Sequence, residues 1–101
     1  MTIHVQRSND GEIYIVLGER FDFGAVEHFR TAYESVEESV SRTLYIDFKN
    51  TRYMDSSALG MLLNAKTHLK DRVSKVGIVN CNDQIKKIFS ISRFDQKFDI
   101  S

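Results

Sequence analysis

Three polar side chains stand together where an extended segment gives way to a helical one. Asp55, Ser56 and Ser57 follow Tyr53 and Met54, and apolar residues at helical spacing come after them. Aspartate and serine cap helices, because a side-chain oxygen there accepts a hydrogen bond from the free N–H groups of the first turn. Capping alone explains all three residues, so a purely structural interpretation stands beside any functional one.

The same junction also favours phosphate chemistry. A hydroxyl at a helix start lies at the positive end of the helix dipole, where backbone donors help to hold a phosphate of about −1.5 to −2 charges. The added group would lie beside Asp55, on a surface that we expect to offer Tyr53, Met54 and Met61 for contact. Like charge set into an interface costs several kcal/mol, or about a hundredfold or more in affinity. A serine at this junction could therefore act as a binding switch.

Catalytic and metal chemistry find little support elsewhere in the sequence. The histidines His4, His28 and His68 lack the spacing of metal ligands. A hydrolase built on Ser56 would need a base and an oxyanion hole, but no Gly-x-Ser-x-Gly surrounds this serine. Asp47 could be compared with the phospho-acceptor aspartate of response-regulator receivers, yet the acidic cluster that would hold a metal is missing. We therefore predict no metal, no cofactor and no catalytic residue.

Composition limits the class of protein further. The chain has 101 residues, 42% of them hydrophobic, and its 14 basic side chains balance 14 acidic ones. We predict one folded domain over residues 1–101, without the excess positive charge that holds nucleic acid or an anionic membrane. Cys81 is the one cysteine and cannot form an internal disulfide. Since no apolar run has the length of a signal peptide or a membrane span, the expected location is the cytoplasm.

Hydrophobic periodicity places the junction within an alternation of strands and helices. Alternation around Asp10 and Gly11 predicts an N-terminal hairpin, and steps of three and four from Val26 to Val40 predict a helix with Asp22 as a cap near its start. Two strand-helix-strand crossovers imply parallel neighbours. The sequence predicts an α/β fold with a mixed sheet of four or five strands and three or more helices. The predicted strands are 3–6, 13–17, 44–48 and 76–79, with a short terminal strand within 94–100, and the predicted helices are 26–40, 58 to about 72, and one around 85–89 capped by Asn82 or Asp83.

Two segments then carry a family resemblance. The run LYIDF at 44–48, followed by YMDSSALGMLL at 53–63, resembles the STAS domain (sulfate transporter and anti-sigma factor antagonist), in which a strand precedes an Asp-Ser-Ser-Gly-Leu-Gly signature that opens a helix. The predicted order of elements is similar to that fold over essentially the full chain. Ala58 departs from the family pattern, which has glycine at this position, and Gly18 stands one residue early relative to the family's Gly-x-Leu-Asp pattern.

The resemblance implies a phosphorylated serine and named kinds of partner. The family's modified residue, the first serine after the aspartate, corresponds to Ser56, with Asp55 before it and Ser57 as its neighbour. In the family, a serine kinase that is often itself an anti-sigma factor adds the phosphate, and a metal-dependent serine/threonine phosphatase removes it. The segment 19–23 resembles the family's loop before the first helix, which implies partner contacts for Asp22 and Phe23. Stand-alone members are typically bacterial cytoplasmic regulators, commonly monomeric when free.

Together these observations predict an anti-sigma-factor-antagonist-like regulator of transcription that works by partner switching. The unphosphorylated chain would bind the kinase or anti-sigma partner, and phosphorylation of Ser56 would release it, with no catalytic activity of the chain's own. Three alternatives remain open: a non-switching adaptor subunit of a larger assembly such as a transporter, a phosphocarrier that passes the group on, and a small serine hydrolase.

Overall fold

An antiparallel hairpin opens the chain, as its alternating pattern predicted. The computed structural model describes residues 3–36 and 39–101. In the hairpin loop, the Gly11 N–H donates to the Ser8 carbonyl at 2.9 Å, and the Glu12 N–H donates to the Ser8 hydroxyl at 3.1 Å. Gly11 has a φ of 86°, a left-handed conformation that glycine adopts without strain. The Asp-Gly pair therefore sets the turn.

Strands and helices alternate through the rest of the chain. Among the described helices, none combines the length and the apolar character needed to cross a membrane. Two 3₁₀ turns, Phe23–Ala25 and Phe94–Gln96, precede α1 and β7 respectively. The elements are β1 (His4–Arg7), β2 (Ile13–Val16), β3 (Arg20–Phe21), α1 (Val26–Glu34), β4 (Ser39–Asp47), β5 (Tyr53–Met54), α2 (Ser56–Leu69), β6 (Val73–Val79), α3 (Asp83–Ile91) and β7 (Asp99–Ile100).

Five of the strands form the predicted mixed sheet. Their order is β1-β2-β4-β6-β7, in which β1 is antiparallel to β2 and every later pair is parallel. The helices α1, α2 and α3 provide the connections from β2 to β4, from β4 to β6 and from β6 to β7. The predicted α/β class, the N-terminal hairpin and the strand-helix-strand crossovers are confirmed, and the terminal strand adds a third crossover.

Strand register divides the sheet into an apolar face and a more polar one. Ile15, Ile46, Ile78 and Ile100 lie side by side, and the first three have no exposed surface. The neighbouring row places Tyr14 against Tyr45, and their rings stack with centroids 5.1 Å apart. Residues along a strand point alternately to opposite faces, so the isoleucines and the tyrosines lie on different sides of the sheet.

The ends of two predicted helices were placed too late. The helix α1 ends at Glu34, where the Ser35 hydroxyl donates to the Ala32 carbonyl at 2.7 Å and competes with further helical turns. Val40 therefore belongs to β4, and Glu37, a polar position of the predicted helix, lies outside the described residues. The helix α2 likewise ends at Leu69, before its predicted end near residue 72. The residues after it form a turn, and Val73 begins β6. An apolar residue four positions later fits a buried strand as well as a helix.

Three side chains cap the helical elements. The predicted cap Asp22 accepts the Gly24 N–H at 3.1 Å, so it caps the 3₁₀ turn that leads into α1. The helix α1 itself begins at Val26, and its N-cap residue, Ala25, makes no side-chain cap. Of the two candidates before α3, Asn82 is the cap, since its Oδ1 accepts the Ile85 N–H at 2.9 Å. The third, before α2, lies at the candidate site.

The aromatic core predicts a contrast between two neighbouring phenylalanines. Phe21 has no exposed surface and meets the rings of Phe29 and Phe48 edge to face, with centroids 4.9 and 5.9 Å away. We expect Phe21→Ala to lower the free energy of unfolding by about 3–5 kcal/mol, since it removes a buried ring and leaves a cavity. Phe23 is 72% exposed, and Phe23→Ala should change stability by less than about 0.5 kcal/mol. Urea denaturation of both variants gives the comparison, and equal losses would contradict this assignment of the core.

Candidate functional site

Ser56 is the first residue of α2, and its side chain is exposed. Asp55 is the N-cap, and its Oδ1 accepts the Ala58 N–H at 3.3 Å. Within residues 3–36 and 39–101, the Ser56 hydroxyl makes no hydrogen bond of its own. The hydroxyl therefore faces solvent at the positive end of the α2 dipole, where an anion is electrostatically favoured.

A short parallel strand pair, which the sequence pattern did not predict, positions this helix start. The strands β3 and β5 pair with Arg20 opposite Tyr53 and Phe21 opposite Met54. The Glu19 carbonyl, immediately before β3, accepts the N–H groups of Arg52 at 2.8 Å and Tyr53 at 3.2 Å. Because parallel strands leave their sheet at the same end, the residues after β3 emerge beside the residues after β5.

A buried threonine fixes the segment that leads into β5. Thr51 is 2% exposed, and its hydroxyl donates to the Gly18 carbonyl at 2.8 Å. The Asn82 side-chain amide donates to the Thr51 carbonyl at 3.3 Å, which links this segment to the start of α3. Thr51 was not among the predicted site residues. A lone threonine in a polar link carries no periodic signal that would reveal its burial.

Asp47 occupies a buried position at the end of β4 and supports the same loops. Its side chain is 5% exposed, and Oδ1 accepts the Asn80 amide at 3.0 Å and the Lys49 N–H at 2.9 Å. Asn80 has a φ of 61°, a left-handed conformation that asparagine tolerates better than most residues. These contacts give the Asp47 carboxylate a role in joining the ends of β4 and β6.

Arg20 adds a cation to the candidate surface. Its guanidinium carbon lies 4.2 Å from the centroid of the Tyr53 ring, and its Nε lies 3.3 Å from Asp22 Oδ2. The arginine thus bridges an exposed ring and a predicted partner-contact carboxylate. Sequence reasoning passed over Arg20, although its position two residues before Asp22 was a usable signal, since alternate residues in an extended segment lie on one side.

Five of the seven predicted contact residues are at least partly accessible. Phe23 is 72% exposed and Tyr53 44% exposed, and Phe23 borders a depression of about 290 Å³ beside Val26 and His28. The β3–β5 pairing brings the segment after Phe21 and the segment after Met54 together. The accessible residues are Asp22, Phe23, Tyr53, Asp55 and Ser57, which with Ser56 we call the switch surface.

The predicted partner contacts at Met54 and Met61 are corrected by the structure. Met54 and Met61 are each 7% exposed and belong to the hydrophobic core. Met54 points inward because its strand partner in β3 is the fully buried Phe21, and Met61 lies on the core-facing side of α2 next to Leu62. The two methionines therefore pack beneath the switch surface and offer little area for contact.

The capping contact predicts a measurable stability effect. We expect Asp55→Ala to lower the free energy of unfolding by about 1 kcal/mol, because the Ala58 N–H loses its side-chain acceptor. Asp55→Asn is the matched control: asparagine caps about as well as aspartate and should retain most of the stability. Thermal or urea unfolding measures both, and an equal loss in the two variants would show that charge, rather than the cap, is what counts.

Cys81 predicts a second effect, on thiol reactivity. Burial raises the pKa of the Cys81 thiol from 9.0 to about 11. At pH 8 the thiolate is then about a hundredfold scarcer than in an unperturbed cysteine, so iodoacetamide should react about a hundredfold more slowly with the folded chain than with the chain unfolded in urea. The folded rate should rise about tenfold per pH unit below pH 11. Equal rates in the folded and unfolded chain would contradict the burial of this thiol.

Comparison with known proteins agrees with this architecture. The family model of the STAS domain matches residues 4–101 of this chain. A STAS-domain containing protein of Pseudomonas aeruginosa (strain UCBPP-PA14) is 43% identical over 102 residues, covering 100% of both chains. An anti-sigma-B factor antagonist of Staphylococcus aureus (strain NCTC 8325 / PS 47) is 23% identical over 93 residues, covering 91% of this chain and 86% of its own.

A solved structure supports the fold independently. The phosphorylated form of the Bacillus cell fate determinant SpoIIAA superposes with a TM-score of 0.63 at 21% identity, over 99% of this chain and 91% of its own. The family resemblance seen at 44–48 and 53–63 is therefore confirmed across nearly the whole sequence. With its five-stranded mixed sheet and the capped Asp55-Ser56-Ser57 helix start, the chain belongs to the STAS domain family and is similar to anti-sigma factor antagonists.

Proposed function

We propose that this chain is a partner-switching regulator controlled by phosphorylation of Ser56. The observation that carries the proposal is the exposed Ser56 hydroxyl at the first position of α2, among accessible partner-type side chains. Unphosphorylated, the switch surface binds a serine kinase that also acts as an anti-sigma factor. Phosphorylation releases that partner, and a metal-dependent serine/threonine phosphatase restores binding. The chain acts in the cytoplasm on transcription, as a single domain over residues 1–101 that is monomeric when free.

The charges around Ser56 support release over binding. A phosphoserine adds about −1.5 to −2 charges next to the Asp55 carboxylate. Asp22 adds a further negative charge to the same surface, because the segments after β3 and β5 lie side by side. Within the chain the phosphate is tolerated, because the free N–H groups and the dipole of α2 face it. Against a partner shaped for the unphosphorylated surface, the added charge opposes contact with Phe23 and Tyr53, the two exposed rings. The fold is stable in both states, while the surface becomes more negative.

The relatives lend weight to the same proposal. The Staphylococcus protein is named an anti-sigma-B factor antagonist, and SpoIIAA has been solved in a phosphorylated form. The switch mechanism comes to this chain as a proposal that rests on the position of Ser56. We also propose that the chain has no catalytic activity of its own. As a regulator that docks on a protein partner, it needs neither nucleic acid nor a membrane as a partner.

Affinity measurements with charge variants test the switch. We expect Ser56→Ala to bind the cognate anti-sigma kinase as the unphosphorylated chain does, and Ser56→Asp to bind at least about tenfold more weakly. Aspartate carries less charge than phosphate, so this loss is a lower bound. Intact-protein mass spectrometry after kinase treatment should show one added phosphate on the native chain and none on Ser56→Ala.

Ser57 offers the matched control. Ser57→Asp places the same charge one residue along α2 and leaves the Ser56 hydroxyl in place. We expect kinase treatment to phosphorylate this variant still. Two results would contradict the proposal: Ser56→Asp binding as tightly as Ser56→Ala, or phosphate appearing on Ser56→Ala. Failure to detect any modified form in cells would instead favour a non-switching adaptor, and labelling of Ser56 by a fluorophosphonate would favour a hydrolase.

A further inference from the structure

A second surface lies at the opposite end of α2 from Ser56. The last turns of α2, the first half of β6 and the segment before β7 border an open cavity of about 340 Å³. The helix has 14 residues, so at 1.5 Å per residue its two ends lie about 20 Å apart. A ligand in this cavity would therefore leave the switch surface free.

Lysines dominate the cavity, although the chain as a whole has no net charge. Its four lysines outnumber its two carboxylates, which belong to Asp95 and Asp99. The cavity walls therefore carry an excess of two positive charges. An excess of this kind, held within one concave site, attracts an anionic ligand. The lysines are Lys66, Lys70, Lys75 and Lys97.

One of the four lysines is paired with a carboxylate, and the other three have no ion-pair partner among residues 3–36 and 39–101. Lys66 donates to the Lys97 carbonyl, with its Nζ 5.1 Å from the Phe98 ring centroid, and Lys75 forms an ion pair with Asp99. Lys70 and the Lys97 ammonium group are exposed and have no ion-pair partner within the described parts of the chain, 3–36 and 39–101. The unpaired cations thus stand on two walls: Lys66 and Lys70 at the end of α2, and Lys97 before β7.

The shape and floor of the cavity favour an extended chain over a compact anion. Beneath the lysines the cavity is lined by apolar side chains, of which Val73 and Phe98 are each 4% exposed and Val76 is half-buried. Lysines spread over separate walls do not converge on one point, as the polar groups of a small-molecule site do. A segment of peptide can instead meet separate cations with separate side chains, while one apolar side chain covers the half-buried Val76.

The spacing of the cations fits alternate residues of such a segment. Lys66 and Lys70 lie one helical turn apart, a rise of about 6 Å. Alternate residues of an extended peptide lie about 6.7 Å apart and point to the same side. The strand β7 pairs with Gly77 and Ile78, in the second half of β6. The first half of β6, Val73–Val76, lines the cavity, on the line along which β7 would be extended backwards. A peptide in the cavity would continue the direction of β7.

We propose that this cavity, bordered by Lys66, Lys70 and Lys97, is a docking site for an extended acidic peptide segment of a partner protein, with acidic residues at alternate positions. The site is separate from the switch surface, so it could hold a partner before and after the phosphate is added to Ser56. Recognition rests mainly on charge complementarity at the walls of the cavity.

A peptide titration tests the proposal on the full chain. The probe is a capped eight-residue peptide in which glutamate alternates with alanine, followed by ¹H–¹⁵N NMR at low ionic strength. We expect the amide shifts of Lys70, Val76, Lys97 and Phe98 to move, and the affinity to fall as salt is raised. The combined variant Lys70→Gln, Lys97→Gln should bind at least about fivefold more weakly.

Controls on both sides of the interaction make the result decisive. The double variant Lys86→Gln, Lys87→Gln removes two charges from the exposed face of α3 and should bind as the native chain does. A peptide with glutamine in place of glutamate should bind much more weakly. Equal binding of the two peptides, equal losses in the two double variants, or no shift at the cavity would overturn the proposal. The same shifts from inorganic phosphate at equal or lower concentration would replace it with a small-anion site.

Discussion

The parallel pairing of β3 with β5 is the constraint on which the candidate site depends. Each strand has two residues, so the pair is held mainly by contacts at its ends: the Glu19 carbonyl accepts two amides, and Thr51 donates to the Gly18 carbonyl. The inward side chain of β3, Phe21, ties the pair to the aromatic core. Without this pairing α2 could still form, but the chain after β3 would no longer be held beside its first turn.

A helix start is well suited to a reversible charge because the helix and a partner respond to it differently. The α2 dipole and its free N–H groups favour an anion at Ser56, whereas Asp55 and the exposed rings of Phe23 and Tyr53 belong to the surface that we propose as the partner contact. Buried polar groups nearby have another role. Asp47 and Thr51 are hydrogen-bonded and hold loops together. The proposed functional hydroxyl of Ser56 is therefore exposed, whereas the polar side chains of Asp47 and Thr51 are buried and structural.

Much of the fold was predictable because its elements are long enough to show a period. Strands β2, β4 and β6 and the helices α2 and α3 each present a repeating apolar face, and the alternation of the two types implies a parallel sheet. The strands β3 and β5 were missed because two residues show no period. The ends of two helices were predicted too late, because Val40 and Val73 continue the helical spacing although each belongs to a strand.

The candidate site shows the same division. Asp55 and Ser56 were recognisable from residue type and order, since capping and exposure at a helix start are local properties. Met54 and Met61 were misjudged because burial depends on what packs against them from distant segments. Thr51 became visible only through a contact across 33 residues of sequence, with Gly18, and the contact of Arg20 with Tyr53 is equally long-range. The residues that the sequence did not reveal are those whose burial or partners depend on long-range pairing, whereas local chemistry was predictable.

The most direct measurement compares one chain in two states against one partner. The unmodified chain and the chain carrying a single phosphate on Ser56 are titrated into the same anti-sigma kinase by calorimetry, with thermal unfolding recorded for both. We expect the phosphorylated chain to bind the kinase about a hundredfold more weakly, with little change in its stability. Equal affinities of two equally stable chains would show that charge at Ser56 does not govern binding.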